Sequence, residues 1–374
     1  MAPDATRTPE EPVANPAAVN HANHAGDASR RPPLGTGRME AADLGPMTVE
    51  GGSTLSAVTL AYRHDGPGSD APQVLVVHAL TGSADAAGDW WAPLIGPGRA
   101  LDTNRVGVLC ANLLGGRYGS TGPASVNPAS GAPWAATFPE ITPRDQAAAL
   151  WLLADALGVP GFALVTGGSL GGMVALELAL ERPGSVAHVL PMAAPSAMRG
   201  LALAWNHIQR SLVDRLGDDG LALARQLAMT TYRSERDFDG RFGRDADADG
   251  RFAIASYLDY QGDKLVGRFD RDTYRTLMRV MDVHDIGRGR GGIVEALRVL
   301  AASGTALTGL GIEGDILFGP DQVQSLVADA VAAGVRAQYR ELSSDKGHDA
   351  FLIEWDQLAT VITDALAPTP AGGA

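Results

Sequence analysis

From about residue 50 onward, short apolar runs alternate with longer segments in which apolar residues recur every three or four positions. "SAVTLAY" alternates apolar and polar positions, whereas "QVLVVHAL" and "RVGVLCANLL" are continuous apolar runs bounded by Gly, Asp or Pro; all three read as strands. "TPRDQAAALWLLADALGV" then puts Ala149, Leu152, Leu153 and Leu157 on one helical face, with Thr142 and Pro143 as a start signal and Gly158 as a stop. The strand "GFALVTG" and the helix "GMVALELALERP" follow, the helix with Met173, Leu176 and Leu180 on its apolar face. Further along come the strands "HVLPMAAP", "TALTGLGIEGD" and "AQYREL" and the helices "PDQVQSLVADAVAAG" and "DAFLIEWDQLATVITDAL". Such alternation predicts an α/β fold with a mainly parallel sheet and helices on both faces.

The alternation lapses over residues 196–302, where "LALAWNHIQRSLVDRL", "GLALARQLAMTTYR", "RFAIASYLDYQGDKLVG" and "RDTYRTLMRVMDVHD" all read as helices. An all-helical insertion inside an α/β core predicts a lid over whatever the sheet presents, so the core is divided into 47–195 and 303–367. Residues 1–46 mix Ala and Pro with scattered charges and have no hydrophobic period. Burial there cannot offset the entropy of ordering, and a disordered tail is expected. Residues 368–374, "PTPAGGA", are expected to be a flexible end.

Composition narrows the classes of function. A chain of 374 residues with 45% hydrophobic and 20% charged content is long enough to bury a sizeable core. Its formal net charge of −13 argues against a general nucleic-acid or anionic-membrane surface. No run approaches the roughly 18 apolar residues that span a bilayer, and the N-terminus lacks the pattern of a secretory signal. A cytoplasmic protein is expected. The one cysteine, Cys110, excludes an internal disulfide framework and a thiolate cluster for zinc, and reads as a buried structural thiol.

Candidate chemistry centres on "TGGSLGG", where Gly167, Gly168, Ser169, Leu170 and Gly171 fit G-x-S-x-G between a strand and a helix. In that setting the serine sits on a strained turn with its hydroxyl above the sheet, and the small neighbours let the two backbones approach. A hydroxyl becomes a nucleophile only when a base takes its proton and a third group orients that base. The α/β-hydrolase order is Ser, acid, His. Asp315 follows the strand of "GIEGDILFGPDQ", with Asp321 as its nearest rival, and His348 lies in "SSDKGHDAFL" before the last helix. Both fall at C-terminal ends of strands, where open α/β sheets bind ligands. His64, His188, His207 and His284 precede the acid in the chain, and His21 and His24 lie in the tail. An oxyanion hole needs two backbone N–H groups. One is expected from Leu170 and the other from the loop "HALTG".

Together "HALTG", "NLLGGRYGSTGPASVNP", "FPEITPRDQ", "GGSLGGM", "LARQLAMTTYRS", "SYLDYQGDK", "RFDRDTYRTLMRVMDVHD" and "GHDAFLIE", in this order, resemble the homoserine O-acetyltransferase family of the α/β-hydrolase superfamily, over about residues 47–367. The resemblance implies acetyl transfer from acetyl-CoA to L-homoserine, a step of methionine biosynthesis, through a serine acyl-enzyme. It implies no cofactor besides the co-substrate, and a homodimer. The family's nucleophile, acid and base fall on Ser169, Asp315 and His348, and its early oxyanion N–H falls on Leu80. It also places an arginine and an aspartate on the amino-acid substrate, at Arg225 and Asp349. A planar guanidinium suits an α-carboxylate, and a carboxylate beside the base suits an α-ammonium. Tyr232, on nearly the same helical face as Arg225, would add a hydroxyl. The plainer readings are a solvated helix charge for Arg225 and a helix N-cap for Asp349.

Two departures from the family are Leu170, where methionine is common, and Trp134 in "APWAATFP", where an aromatic Tyr followed by glycine is usual. They leave open a succinyl donor or a serine acceptor. Separately, the same triad and oxyanion hole would make an esterase if water reached the acyl-enzyme; the long helical insertion and the zwitterion-binding candidates favour transfer. An inactive binding module would lack a triad member, and none is missing. Two metal readings are weak: Asp245–Gly250 opens like a calcium loop but has Ser256 where a bidentate Glu is required, and Asp282, His284 and Asp285 have no second histidine nearby. No metal is expected.

Overall fold

The apolar runs pair into one eight-stranded sheet in the computed structural model, which describes residues 31–367. The strands are β1 (Met39–Thr48), β2 (Thr54–Asp65), β3 (Gln73–Val77), β6 (Gly107–Ala111), β7 (Leu164–Gly168), β8 (His188–Met192), β9 (Ala306–Ile312) and β10 (Ala337–Leu342); β4 (Ile95–Gly96) and β5 (Leu101–Asp102) form a separate two-residue pair. The sheet order is β1-β2-β6-β3-β7-β8-β9-β10. β1–β2 and β2–β6 pair antiparallel and every other neighbour is parallel, as the alternation predicted. β3 shows why these strands read as continuous apolar runs: Leu75 and Val77 pack into the core on one face, and Val74 and Val76 into that on the other.

Helices α1 (Pro143–Leu157), α2 (Leu170–Glu181), α8 (Ile293–Ser303) and α9 (Pro320–Ala332) supply buried residues to the first core, and α10 (Trp355–Leu366) joins Trp91 and Leu94 in the second. α1 begins where its sequence signal put it. Thr142 caps it in a reciprocal box with Asp145, Pro143 opens it, and Gly158 closes it at φ 71°.

Over the strand ends, α3 (Gly200–Leu216), α4 (Asp218–Tyr232), α5 (Glu235–Arg241), α6 (Ala253–Val266) and α7 (Arg271–Asp282) form the helical insertion. Its two ends are stitched together: Met198 N–H donates to His284 O (3.0 Å), Ile286 N–H donates to Ser196 O (3.0 Å), and the His284 ring bonds Pro195 O at 2.8 Å. The insertion is therefore tied off near residue 286, earlier than the expected 302. α8 lies beyond the tie and packs on α2 and α9, because Ala296, Leu297 and Leu300 form an apolar stripe that the core buries.

Two further expectations change. The segment expected to be disordered through residue 46 contains most of β1, and residues 1–30 lie outside the described residues. Its strand pattern is masked by bulges on either side of Gly45 (φ 75°), which break the alternation, yet Ala42 and Met47 are buried against β2. Ahead of β1, Tyr62 donates its hydroxyl to Pro33 O (2.7 Å) and Gly35 N–H donates to His64 Nδ1 (2.8 Å). The single helix expected from Asp349 to Leu366 is broken into a 3-10 turn, Gly347–Leu352, and α10. Trp91 Nε1–H takes the Phe351 carbonyl at 2.9 Å, an acceptor that a continuous helix would have used itself. The expected flexible end, 368–374, lies outside the described residues.

These contacts carry a prediction. Compared with a chain beginning at residue 31, a chain beginning at residue 47 loses β1 and uncovers Leu60 and Tyr62, both 0% exposed. Its melting temperature should fall by more than about 5 °C in differential scanning fluorimetry. An unchanged value would mean that β1 adds nothing to the sheet.

Candidate active site

Ser169 lies between the last residue of β7 and the first turn of α2, with φ 57° and ψ −125°. A non-glycine residue rarely holds this backbone, and such strain concentrates at functional sites. The elbow is wedged in place: a Cβ on Gly167 or on Gly171 would collide with Val77 O at the end of β3. Ser169 N–H donates to Met192 O (2.9 Å), tying the turn to β8. The same turn aims the positive N-terminal end of α2 at the serine.

The residues expected as acid and base follow the ends of β9 and β10. Asp315, in the turn after β9, accepts from the backbone N–H groups of Leu317 (2.8 Å) and Phe318 (3.0 Å) with Oδ1, which leaves Oδ2 facing His348 Nδ1 at 2.7 Å. The His348 ring is 2% exposed and walled by Tyr232, Phe318 and Phe351. Phe351 also lies against Gly168, so base and serine share a wall. With Nδ1 facing the carboxylate, Nε2 is buried and has no hydrogen-bond partner among the described residues. Burial of the ring opposes its protonation, but the Asp315 charge and hydrogen bond outweigh that and hold the His348 pKa above the ordinary histidine value. Asp321, the rival acid, is exposed at the start of α9 and paired with Arg199 at 2.8 Å.

Leu170 opens α2, so its N–H has no acceptor within the helix. Leu80 lies in the loop after β3, where Ala79 O accepts from Gly82 N–H (2.9 Å) and faces His78 Nδ1 (2.7 Å). His78 is a residue that the sequence reading missed as an individual. Its Nε2 accepts from Leu113 N–H at 3.1 Å, so the buried neutral ring bridges two loops, and burial lowers its pKa to about 4. Only its place at the head of "HALTG" hinted at such a role.

The predicted substrate residues also converge. The Arg225 guanidinium lies 5.3 Å from the centre of the Tyr232 ring, and that ring stacks on His348 at 5.8 Å. Asp349, beside His348, pairs with Arg233 Nε at 3.2 Å. Burial raises its pKa, and the charges of Arg233, Arg225 and His348 oppose the rise. It caps no helix: α10 starts after Glu354, which makes no side-chain cap. Arg233, the residue after Tyr232, went unnoticed because nothing in its local pattern marks it. So did Tyr274, which donates to Gln209 Oε1 at 2.6 Å and feels the charge of Arg225.

The remaining features have structural explanations. Trp134 heads a 3-10 turn, Ala135–Thr137, that packs on α7. Cys110 is buried, and burial pushes its thiol pKa up. Asp247 closes the exposed Asp245–Gly250 turn by accepting from the N–H groups of Asp249 (3.0 Å) and Arg251 (2.9 Å). Asp282 is held by Arg210 and Asn206. A cavity of about 410 Å³ opens at the neck of the lid, beside Met198 and His284, and its lining includes none of Ser169, Asp315 and His348.

A serine on a strained turn, a buried His–Asp pair and two candidate N–H donors are the parts of an acyl-transfer site. Comparison with known proteins narrows this. The family model for the alpha/beta hydrolase fold matches residues 72–352. The homoserine O-acetyltransferase of Moorella thermoacetica is 41% identical over 347 residues, covering 84% of this chain and 91% of that protein. A homoserine O-acetyltransferase of Thermus thermophilus is 42% identical over 338 residues, covering 83% of this chain and 84% of that protein. Among solved structures, a homoserine O-acetyltransferase from Staphylococcus aureus superposes with a TM-score of 0.77 at 29% identity, covering 90% of this chain and 97% of that one. Esterase E22 superposes with a TM-score of 0.82 at 20% identity over 88% of this chain and 100% of its own, a likeness of fold alone. With this elbow, this His–Asp pair and relatives matched over most of their length, the chain belongs to the homoserine O-acetyltransferase family, built on the α/β-hydrolase fold.

Proposed function

We propose that this protein moves an acetyl group from acetyl-CoA to the hydroxyl of L-homoserine through an acyl-enzyme on Ser169, a step of methionine biosynthesis. The observation that carries the reading is the buried His348 ring, with Nδ1 on Asp315 and Nε2 unpartnered, in a chain of this family. Nε2 takes the Ser169 proton as the oxygen attacks the thioester carbonyl, and the N–H groups of Leu80 and Leu170 stabilise the oxyanion. Collapse of that intermediate expels CoA thiolate, which takes the proton from His348. The homoserine hydroxyl then loses its proton to Nε2, attacks the acyl carbonyl and frees Ser169 as the proton returns. Arg225 receives the α-carboxylate. Asp349, with one oxygen on Arg233, offers the other to the α-ammonium. No cofactor enters either half-reaction. The lid limits water, which separates transfer from hydrolysis. The reading places a homodimer in the cytoplasm, and no helix among the described residues is long and apolar enough to cross a membrane.

Acetyl-CoA alone should acetylate the protein once and release a stoichiometric burst of CoA. Tandem mass spectrometry should place the adduct on the peptide containing Ser169, and Ser169→Ala should abolish it. Homoserine should discharge the adduct far faster than water, serine or a buffer blank. Rapid loss in water alone makes the protein an esterase, and no adduct with intersecting kinetics means direct transfer in a ternary complex. The same assay with succinyl-CoA decides the donor.

Replacing Arg225 with lysine keeps the charge and loses the two-pronged geometry. We expect the KM for homoserine to rise at least about ten-fold, the order of one charge-assisted hydrogen bond, while the CoA burst stays near wild type. Equal losses in both half-reactions would reassign Arg225 to the donor side or to the fold.

The elevated His348 pKa sets the pH profile. Only the neutral ring accepts a proton, so acylation should be lost as pH falls through a midpoint above the ordinary histidine value of about 6.5. Asp315→Asn removes the charge that raises this pKa, so the midpoint measured by burst kinetics should move to lower pH as the plateau rate falls. An unshifted midpoint would mean that another group titrates.

A further inference from the structure

The loop carrying Leu80 is fastened from two sides. On the sheet side the His78 ring holds Ala79 O, Asn112 Oδ1 accepts from Ala84 N–H (2.7 Å), and Trp90 Nε1–H donates to Ser83 O (3.0 Å). From the lid comes Arg268, in the connection between α6 and α7. One of its terminal nitrogens donates to Thr81 O (2.8 Å) and to the Tyr118 hydroxyl oxygen (3.1 Å), and the other lies 3.4 Å from Thr81 Oγ1. The guanidinium is thus aimed at a backbone carbonyl and two hydroxyls rather than at a carboxylate.

The hydrogen bonds from that carbonyl lead to the Leu80 peptide. A trans peptide is a rigid plane with C=O and N–H pointing in opposite directions. The Thr81–Gly82 plane presents its C=O to Arg268 and its N–H to Ala79 O (2.9 Å). The Ala79–Leu80 plane receives that bond on its own C=O, so its other end is the Leu80 N–H. Each charge-assisted or chained bond polarises the next, so a cation at one end strengthens the donor at the other.

We propose that Arg268 is a positioning residue for the oxyanion: through two successive peptide planes it sets the orientation and donor strength of the Leu80 N–H, and so couples the lid to the acylation step. This rests on the acyl-enzyme reading above. Arg268 touches no reacting atom in the scheme, and its effect should appear in the rate of oxyanion formation with any acyl donor.

The test compares acetyl-CoA with p-nitrophenyl acetate, a donor with no phosphate or pantetheine, in pre-steady-state acylation of the full-length protein. Arg268→Met should slow acylation by both donors by the same factor, about ten-fold, which is less than the ~100-fold cost of removing an oxyanion donor outright. The KM for acetyl-CoA should stay unchanged, and Arg268→Lys should recover part of the rate. Tyr118→Phe, a milder change that removes one anchor of the guanidinium, should give a smaller loss of the same kind. A loss confined to acetyl-CoA and expressed as KM would overturn the proposal by making Arg268 a contact for the donor's phosphates. A lowered melting temperature with unchanged acylation in both Arg268→Met and Tyr118→Phe would overturn it in favour of a purely structural role. Ser169→Ala serves as the control: an adduct that survives there defeats the acyl-enzyme reading itself, whereas wild-type acylation by Arg268→Met beside a dead Ser169→Ala defeats only this inference.

Discussion

The close approach of β3, β7 and α2 around Ser169 is the constraint on which the rest of the structure depends. A left-handed serine backbone persists only where its surroundings leave no alternative. Here Val77 O blocks any side chain at Gly167 and Gly171, and Met192 O holds the serine amide. Those two anchors belong to β3 and β8, the strands flanking β7. The register of three parallel strands therefore fixes the attitude of one hydroxyl. The loops after β9 and β10 then need only supply a carboxylate and an imidazole at the same edge, which is the usual ligand edge of an open α/β sheet.

Electrostatics adds a second layer. Asp315 is buried, and two backbone N–H groups and the His348 ring satisfy its carboxylate oxygens. Asp349, one residue after the base, is also largely buried but leans on Arg233. The two carboxylates flank the same imidazole yet have different partners, one suited to orienting the ring and the other to facing a cation. The nearby Arg225, Arg233 and Tyr232 all come from α4 and the residue following it, so on the proposed reading the lid would carry most of the amino-acid side of the site and the sheet the reacting side.

The sequence disclosed the parts whose cause is local. The elbow was readable because its glycines meet a steric demand within a few residues, and α1 because its cap and stop lie at its own ends. The pairing of Asp315 with His348 was readable from chain order and strand ends. β1 was hidden because Gly45 and its bulges break the period, and because its burial depends on β2. The end of the lid was misplaced because α8 looks like any amphipathic helix until its stripe meets α2 and α9. His78, Arg233 and Arg268 were invisible as individuals for a common reason: each acts through a partner far away in the chain or through a backbone carbonyl, and carbonyls leave no mark on a sequence.

That asymmetry bears on how one fold can serve esterases and acetyltransferases. Ser169, Asp315 and His348 sit at strand ends, where parallel register places them, and esterase E22 shares this fold at a TM-score of 0.82. The insertion between Ser196 and Ile286 is the part of this chain that the register of the sheet does not fix. It is stitched shut at its neck, it brings Tyr232 against His348 with Arg225 on the Tyr232 ring, and it reaches the loop carrying Leu80 through Arg268. On the proposed reading, an insertion that touches both acceptor and oxyanion sides would make acyl transfer sensitive to whether the lid is seated. A lid that merely covered the site would exclude water, but it would leave the rate of the first half-reaction untouched.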